Sequence, residues 1–151
     1  MANATSTKEF TVRPAALSDA PQLALLATQL GYPSTPDQVV ARLREVSKHP
    51  EHAIFIAESE AVGIAGYIEV FPFRTIGAEV RLEIGGLVVL ETCRSQGVGR
   101  LLMAHAESWA RANGYSEIGL RSNVIRERAH QFYENLGYRI NKTQKSFRKK
   151  L

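Results

Sequence analysis

The residues best suited to chemistry lie between Leu87 and Leu102. Leu87-Val88-Val89-Leu90 closes an apolar strand-like run, Glu91-Thr92-Cys93-Arg94-Ser95-Gln96 makes a short polar turn, and Gly97-Val98-Gly99 opens a long helical pattern. The first N–H groups of a helix have no intrahelical acceptors, and its N-terminus carries partial positive charge. Such a turn is built to accept an anion, above all a phosphate. Glycine lets the backbone approach the ligand, and Arg94 and Arg100 add full charges. A glycine-containing helix start with no ligand is the plainer alternative, and this segment alone does not separate the two.

Two familiar phosphate cradles fail on the letters. A Walker loop ends in Gly-Lys-Ser/Thr, whereas Gly99 is followed by Arg100-Leu101. A dinucleotide fingerprint needs a third glycine where Leu102 stands, and Glu117 only imitates its ribose acid. The strand before the turn also belongs to a meander and does not open a βαβ unit.

The elements that must position this turn follow from periodicity. Phe10 to Arg13 reads as a short strand, with Ser18 as N-cap of a helix bearing Leu23, Leu26, Ala27 and Leu30 on one face. After the rigid turn Tyr32 to Pro36, a second helix carries Val39, Val40, Leu43 and Val46. Three strands follow, Ile54 to Ala57, Ile64 to Phe71 and Glu79 to Val89, joined by short turns as an antiparallel meander. Gly97 to Asn113 is the strongest helix, Glu117 to Arg121 a strand and Arg126 to Leu136 a helix. One or two strands are expected around Tyr138 to Ile140 and Gln144 to Arg148, the latter an edge strand guarded by lysines. Gly85-Gly86 inside the third meander strand predicts a bulge or a close backbone approach.

Composition narrows the classes. The chain has 151 residues, 44% hydrophobic and 23% charged, which fits one domain (1–151) with one core. Its net charge of +4 misleads, because six basic and no acidic residues lie between Arg139 and Leu151, leaving 13 basic against 15 acidic before them. A slightly acidic body argues against nucleic acid as partner, since phosphate-backbone binding uses a wide positive surface. The longest apolar stretch, Ile84 to Leu90, falls far short of the roughly 20 residues of a bilayer span, so no membrane partner is expected. The first ten residues lack the apolar core of a secretory signal. One cysteine, Cys93, and four scattered histidines predict neither a disulfide nor a metal site. A cytoplasmic, metal-independent protein is the expectation.

A second motif sharpens the first. Arg94-x-x-Gly97-x-Gly99 after Leu87-Val88-Val89, followed by Ala129-His130-Gln131-Phe132-Tyr133-Glu134-Asn135-Leu136-Gly137-Tyr138 after a further strand, closely resembles the GNAT superfamily of acyl-CoA-dependent N-acetyltransferases, of the histone-acetyltransferase-like and small bacterial type. The detailed resemblance covers Glu79 to Tyr138, and the element order matches the whole chain. It implies an α/β (α+β) fold: a central mixed, mostly antiparallel sheet of six to seven strands flanked by about four helices, in the order β-α-α-β-β-β-α-β-α-β(-β). Acetyl-CoA would be the cosubstrate, with no metal. A homodimer would be no surprise in this family.

The resemblance also assigns roles. The backbone of Arg94, Ser95, Gln96, Gly97, Val98, Gly99 and Arg100 would hold the pyrophosphate. Leu87 and Val89 would hydrogen-bond the pantetheine like an added strand, with an oxyanion donor near Val88. Tyr133 occupies the general acid's place. A phenol near pKa 10 protonates a thiolate near 8.5 uphill in water, a step made feasible where the buried thiolate is poorly solvated. Glu83 matches the base that deprotonates the amine, against the alternative of a solvated glutamate paired with Arg81. Many relatives have asparagine where Arg126 stands. Asn123 lies earlier in that turn, and either could touch the coenzyme, or Ser122 or Asn123 could simply cap the helix. Acceptor walls would include Tyr32 and Phe73. The expected function is acetyl transfer to a primary amine of a small molecule or peptide by direct attack in a ternary complex. The alternative is a catalytically silent acyl-CoA-binding or sensor domain.

Overall fold

The computed structural model describes residues 9–151. The first eight residues, where no secretory signal is legible, lie outside these. The chain divides into two compact units, 1–120 and 121–151, and each is described by itself.

In the first unit, neighbouring residues of β2 (Ala53–Ser59) show how the layers arise. Adjacent strand residues face opposite ways. Ile56 packs with Leu23, Ala24, Val39 and Leu43 of α1 (Ala20–Leu30) and α2 (Pro36–Val46), while Phe55 meets the rings of His105 and Trp109 on α3 (Val98–Ala112). The sheet is therefore sandwiched between α1 and α2 on one face and α3 on the other. Its order is β1 (Thr11–Pro14), β2, β3 (Gly63–Thr75), β4 (Ala78–Val89), β5 (Ile118–Leu120). The first four strands are antiparallel neighbours, and β5 runs parallel to β4. This is the expected mixed, mostly antiparallel sheet flanked by helices.

Three local details depart from the sequence reading. The cap of α1 is not Ser18. A single 3₁₀ turn spans Leu17–Asp19, and the Asp19 carboxylate accepts the Ala16 N–H at 2.7 Å. The strand expected to stop at Phe71 continues through Pro72 to Thr75. Proline is tolerated there because β2 pairs with β3 only as far as Val70, so Pro72 forfeits no bond to β2. In the second unit α4 (Glu127–Asn135) forms as predicted, but residues 138–151 form no strand. Among the described residues the sheet has five strands, not six or seven. The tail after Tyr138 is exposed throughout, and its six cations among few apolar side chains provide little that burial could stabilise.

Arg13 of β1 ties the Leu17–Asp19 turn to β2. Its guanidinium donates to both Asp19 carboxylate oxygens (2.8 and 2.9 Å) and to both of Glu58 (2.7 and 3.1 Å). Asp19 is buried, and the Arg13 hydrogen bonds hold its carboxyl below the usual range despite that burial. A depressed carboxyl stabilises the fold above its unfolded pKa of about 3.9, and the contribution is lost as pH falls through the folded value. Arg13→Met should cost about 1–3 kcal/mol in urea unfolding at pH 7. The gap between variant and wild type should narrow below pH 4; a gap that persists at pH 2 would show that packing, not the ion pair, is responsible.

Candidate active site

Strand β4 supplies the floor of the site. β5 pairs with it only at Leu82, Glu83 and Ile84, so among the described residues one edge of β4 has no neighbouring strand from Gly85 to Val89. At the other edge the register with β3 slips between Glu69 and Val70, leaving Gly85 without a partner as the bulged residue. A β-carbon on Gly85 would lie 2.7 Å from the Phe71 ring, so the close approach predicted for the glycine pair is real. Beyond the bulge, the Leu90 N–H donates to the Ala65 carbonyl at 2.6 Å. By the two-residue alternation of antiparallel pairs, Val88 also turns its backbone to Tyr67, whereas Leu87 and Val89 turn theirs to the open edge. Leu87 is thus presented for an added strand, together with the N–H of Val89, whose carbonyl takes the Gln29 carboxamide. Val88 faces β3 and buries its side chain.

The open edge runs into the turn. One 3₁₀ turn covers Glu91–Cys93, Arg94 is extended, Ser95 and Gly97 have left-handed φ values of 64° and 82°, and α3 begins at Val98 with no side-chain cap. Buried Cys93 and Val98 anchor the two ends. Among the described residues, none of the backbone N–H groups from Ser95 to Arg100 has a hydrogen-bond acceptor. Successive amides curled by left-handed residues at a helix N-terminus form an anion nest. A non-glycine left-handed residue such as Ser95 stores strain of the kind found at ligand sites. The exposed Arg94 and Arg100 make no ion pair among the described residues. Nothing lies within 4 Å of a β-carbon built on Gly97, so its backbone angle, not crowding, requires glycine.

Gln29 was not legible as a site residue. From α1 its carboxamide donates to the Val89 carbonyl at 2.8 Å and accepts the Glu91 N–H at 3.3 Å, clamping the end of β4 to the start of the turn. It lies sixty residues upstream with no motif around it.

Glu83 is 5% exposed, and its Oε2 accepts from Arg81 Nε at 3.2 Å. The pairing with Arg81 is as anticipated, but in a buried setting instead of a solvated one. It stands directly opposite Phe71 and hence on the same sheet face as Tyr67 and Glu69. On that face a cavity of about 510 Å³ opens between α1, α2 and the sheet, lined among others by Tyr32, Arg42, Tyr67, Glu69 and Gly86. Tyr32, expected as an acceptor wall, lines this cavity. Phe73 does not line this cavity. Its ring stacks beneath the Arg81 guanidinium, 4.2 Å from carbon to centroid. Burial and the Glu69 charge push the Tyr67 phenol up to about 12, so it stays protonated.

In the second unit Tyr133 lies on α4, its ring edge-on to Phe132 and Tyr138. The Tyr138 N–H closes the helix on the Tyr133 carbonyl, with Gly137 left-handed at φ 93°. Burial pushes the Tyr133 phenol above its ordinary value, and the Arg126 charge draws it partly back. Asn123 shapes the turn before α4: its Oδ1 accepts the Ile125 N–H, and its carbonyl takes the Arg126 N–H and meets His130 Nε2 at 2.8 Å. Neither Ser122 nor Asn123 is the helix cap. Arg126 holds that position without a side-chain cap bond.

The sequence pattern of the Acetyltransferase (GNAT) family matches residues 20–138. An aminoalkylphosphonate N-acetyltransferase of Salmonella typhimurium is 33% identical over 115 residues, covering 76% of this chain and 72% of that protein. An uncharacterised N-acetyltransferase of Bacillus subtilis, YhdJ, is 32% identical over 97 residues, covering 64% and 68%. Among solved structures, one described as a transcriptional regulator from Bacillus halodurans superposes with a TM-score of 0.81 at 25% identity, covering 93% of this chain and 99% of that one.

Proposed function

Because the chain belongs to the acetyltransferase (GNAT) family, acyl-CoA-dependent enzymes that move an acetyl group from acetyl-CoA to an amine, we propose that this one acetylates the primary amine of a small molecule by direct attack in a ternary complex, as a single functional domain. The observation that carries this reading is the run of acceptor-free amides from Ser95 to Arg100 at the end of the open β4 edge. The edge at Leu87 and Val89 suits pantetheine amides, and the nest with Arg94 and Arg100 suits a pyrophosphate. Asn123 and Arg126 are further candidates for coenzyme contact. The one cysteine, Cys93, is buried, so it offers no exposed thiolate for an acyl-enzyme, which favours direct attack. The aminoalkylphosphonate acceptor of the Salmonella relative supports a small-molecule amine.

The attacking nitrogen must first lose a proton, for which Glu83 is the proposed acceptor. A carbon–nitrogen bond then forms at the thioester carbonyl and the carbon–sulfur bond breaks; the departing thiolate takes a proton from the Tyr133 hydroxyl, and the second proton that the nitrogen sheds on becoming an amide is returned through solvent to the Tyr133 phenolate. The test is a thiol-release screen over chemically distinct amines. Acetyl-CoA-dependent release with at least one class is expected. Binding of acetyl-CoA without release across the panel would leave a silent sensor domain instead. Gln29→Ala should raise KM for acetyl-CoA by about 5-fold through loss of its two hydrogen bonds, with kcat nearly kept. An unchanged KM would remove the clamp from the coenzyme site.

A further inference from the structure

The cavity beside the open β4 edge is charged at two ends and apolar between them. At its sheet end Glu69 stands beside the glycine pair that leads into Leu87. His52 Nε2 meets Glu69 Oε1 at 2.7 Å, which leaves Oε2 with no donor among the described residues. The neutral Tyr67 phenol lies near Gly86 on the same floor. At the helical end, Arg42 of α2 reaches the turn between the helices, where its Nη1 donates to Ser34 Oγ at 3.0 Å. Arg42 meets no carboxylate among the described residues. The side chains of Leu23, Ala27, Val39 and Leu43 wall the space between.

We infer that this cavity selects a small zwitterionic acceptor: a primary ammonium seated at Glu69, joined by a short apolar chain to an anionic group held by Arg42. A carboxylate with one oxygen not taken by His52 attracts an ammonium and prepares it next to the strand edge where the thioester is proposed to lie. A guanidinium without an anionic partner at the far mouth favours carboxylate, phosphonate or phosphate there, because charge-assisted hydrogen bonds to Arg are roughly twice as strong as neutral ones. A dication would set its second ammonium against Arg42, and a long peptide would have to leave through the helix–helix turn. A volume of about 510 Å³ suits a molecule of metabolite size. Glu69 and Arg42 are thus specificity residues.

The inference rests on the acetyl-transfer reading, and the experiment keeps the two apart. Thiol release is measured with length-matched alkylamine, diamine, aminoalkyl carboxylate and aminoalkyl phosphonate. The wild type should favour the anionic amines over the plain alkylamine by about 10- to 100-fold in kcat/KM, and the last two arms show which anion it takes. Arg42→Gln should collapse that ratio, Arg42→Lys should restore part of it, and Arg44→Gln on the same helix should leave it unchanged. Glu69→Gln should lower kcat/KM for every amine without weakening acetyl-CoA binding. A wild type that treats alkylamine and anionic amine alike, a preference for the diamine, or a ratio that survives Arg42→Gln would overturn the inference. If no amine releases thiol, the transfer reading fails. Calorimetry of the same amines on the coenzyme A complex then decides the cavity's chemistry: Arg42-dependent binding of the anionic amines upholds it, and equal or absent binding refutes it.

Discussion

Gly97→Glu is expected to weaken acetyl-CoA binding by about 10³-fold, combining two independent penalties. Gly97 has φ of 82°, where any β-carbon costs about 1–2 kcal/mol. The new carboxylate would also sit at the mouth of the amide nest. Against each phosphate charge at about 4 Å it adds a repulsion of about 1 kcal/mol in water and about 4 kcal/mol near a protein surface. Gly97→Ala separates the two, because no atom lies within 4 Å of the added β-carbon and only the backbone term remains, about 10-fold. The fold should survive the glutamate, since a negative charge at the start of α3 is itself favourable by about 0.3–1 kcal/mol. Calorimetric titration alongside a thermal melt reads both quantities. An affinity equal to wild type in a folded Gly97→Glu protein would remove the coenzyme from this turn.

What could be read beforehand was what local sequence encodes. The nest is written in consecutive letters, because Gly97 and Gly99 mark a special backbone at a helix start. Gly85-Gly86 likewise announced a bulge, although only the register showed that Gly85 is the residue left over. Which β4 residues face the open edge was a matter of parity. The Leu90 to Ala65 bond turns Leu87 and Val89 outward and Val88 inward, a parity that the letters Leu-Val-Val do not carry by themselves and that only the family resemblance suggested. Elements that depend on distant partners were less visible. Pro72 reads as a strand end until β2 is seen to stop pairing at Val70, and Gln144 to Arg148 reads as a strand although none forms there. Gln29, His52 and Arg42 gain their meaning from contacts across the fold: α1 to β4, the start of β2 to β3, and α2 to the interhelical turn. No spacing rule connects such residues, which is why the glycine turn was legible and the lining of the cavity was not.

Tyr133→Phe should lower kcat by about 10²-fold while changing KM for acetyl-CoA by less than about 3-fold. The substitution keeps the aromatic ring that packs edge-on against Phe132 and Tyr138, and removes only the hydroxyl. A structural role would show as lost stability with little change in turnover, so a melt accompanies the kinetics. The sign of the pH effect follows from the acid's role: Tyr133 works protonated, and burial raises its pKa above the ordinary 10. Wild-type kcat should therefore hold through pH 9.5 and fall only above pH 10, whereas the Phe variant, having no proton to lose there, should lack that alkaline limb. The leaving group provides a sharper test. A thiol near pKa 8.5 needs a proton as it departs from a poorly solvated site, but an aryl thiol of much lower pKa leaves readily as the anion. An acetyl aryl thioester of a pantetheine-like carrier should then narrow the gap between Phe variant and wild type. A gap that is the same for both donors would mean that the hydroxyl orients the substrate and does not deliver the proton, and equal turnover with acetyl-CoA would take Tyr133 out of the chemistry altogether.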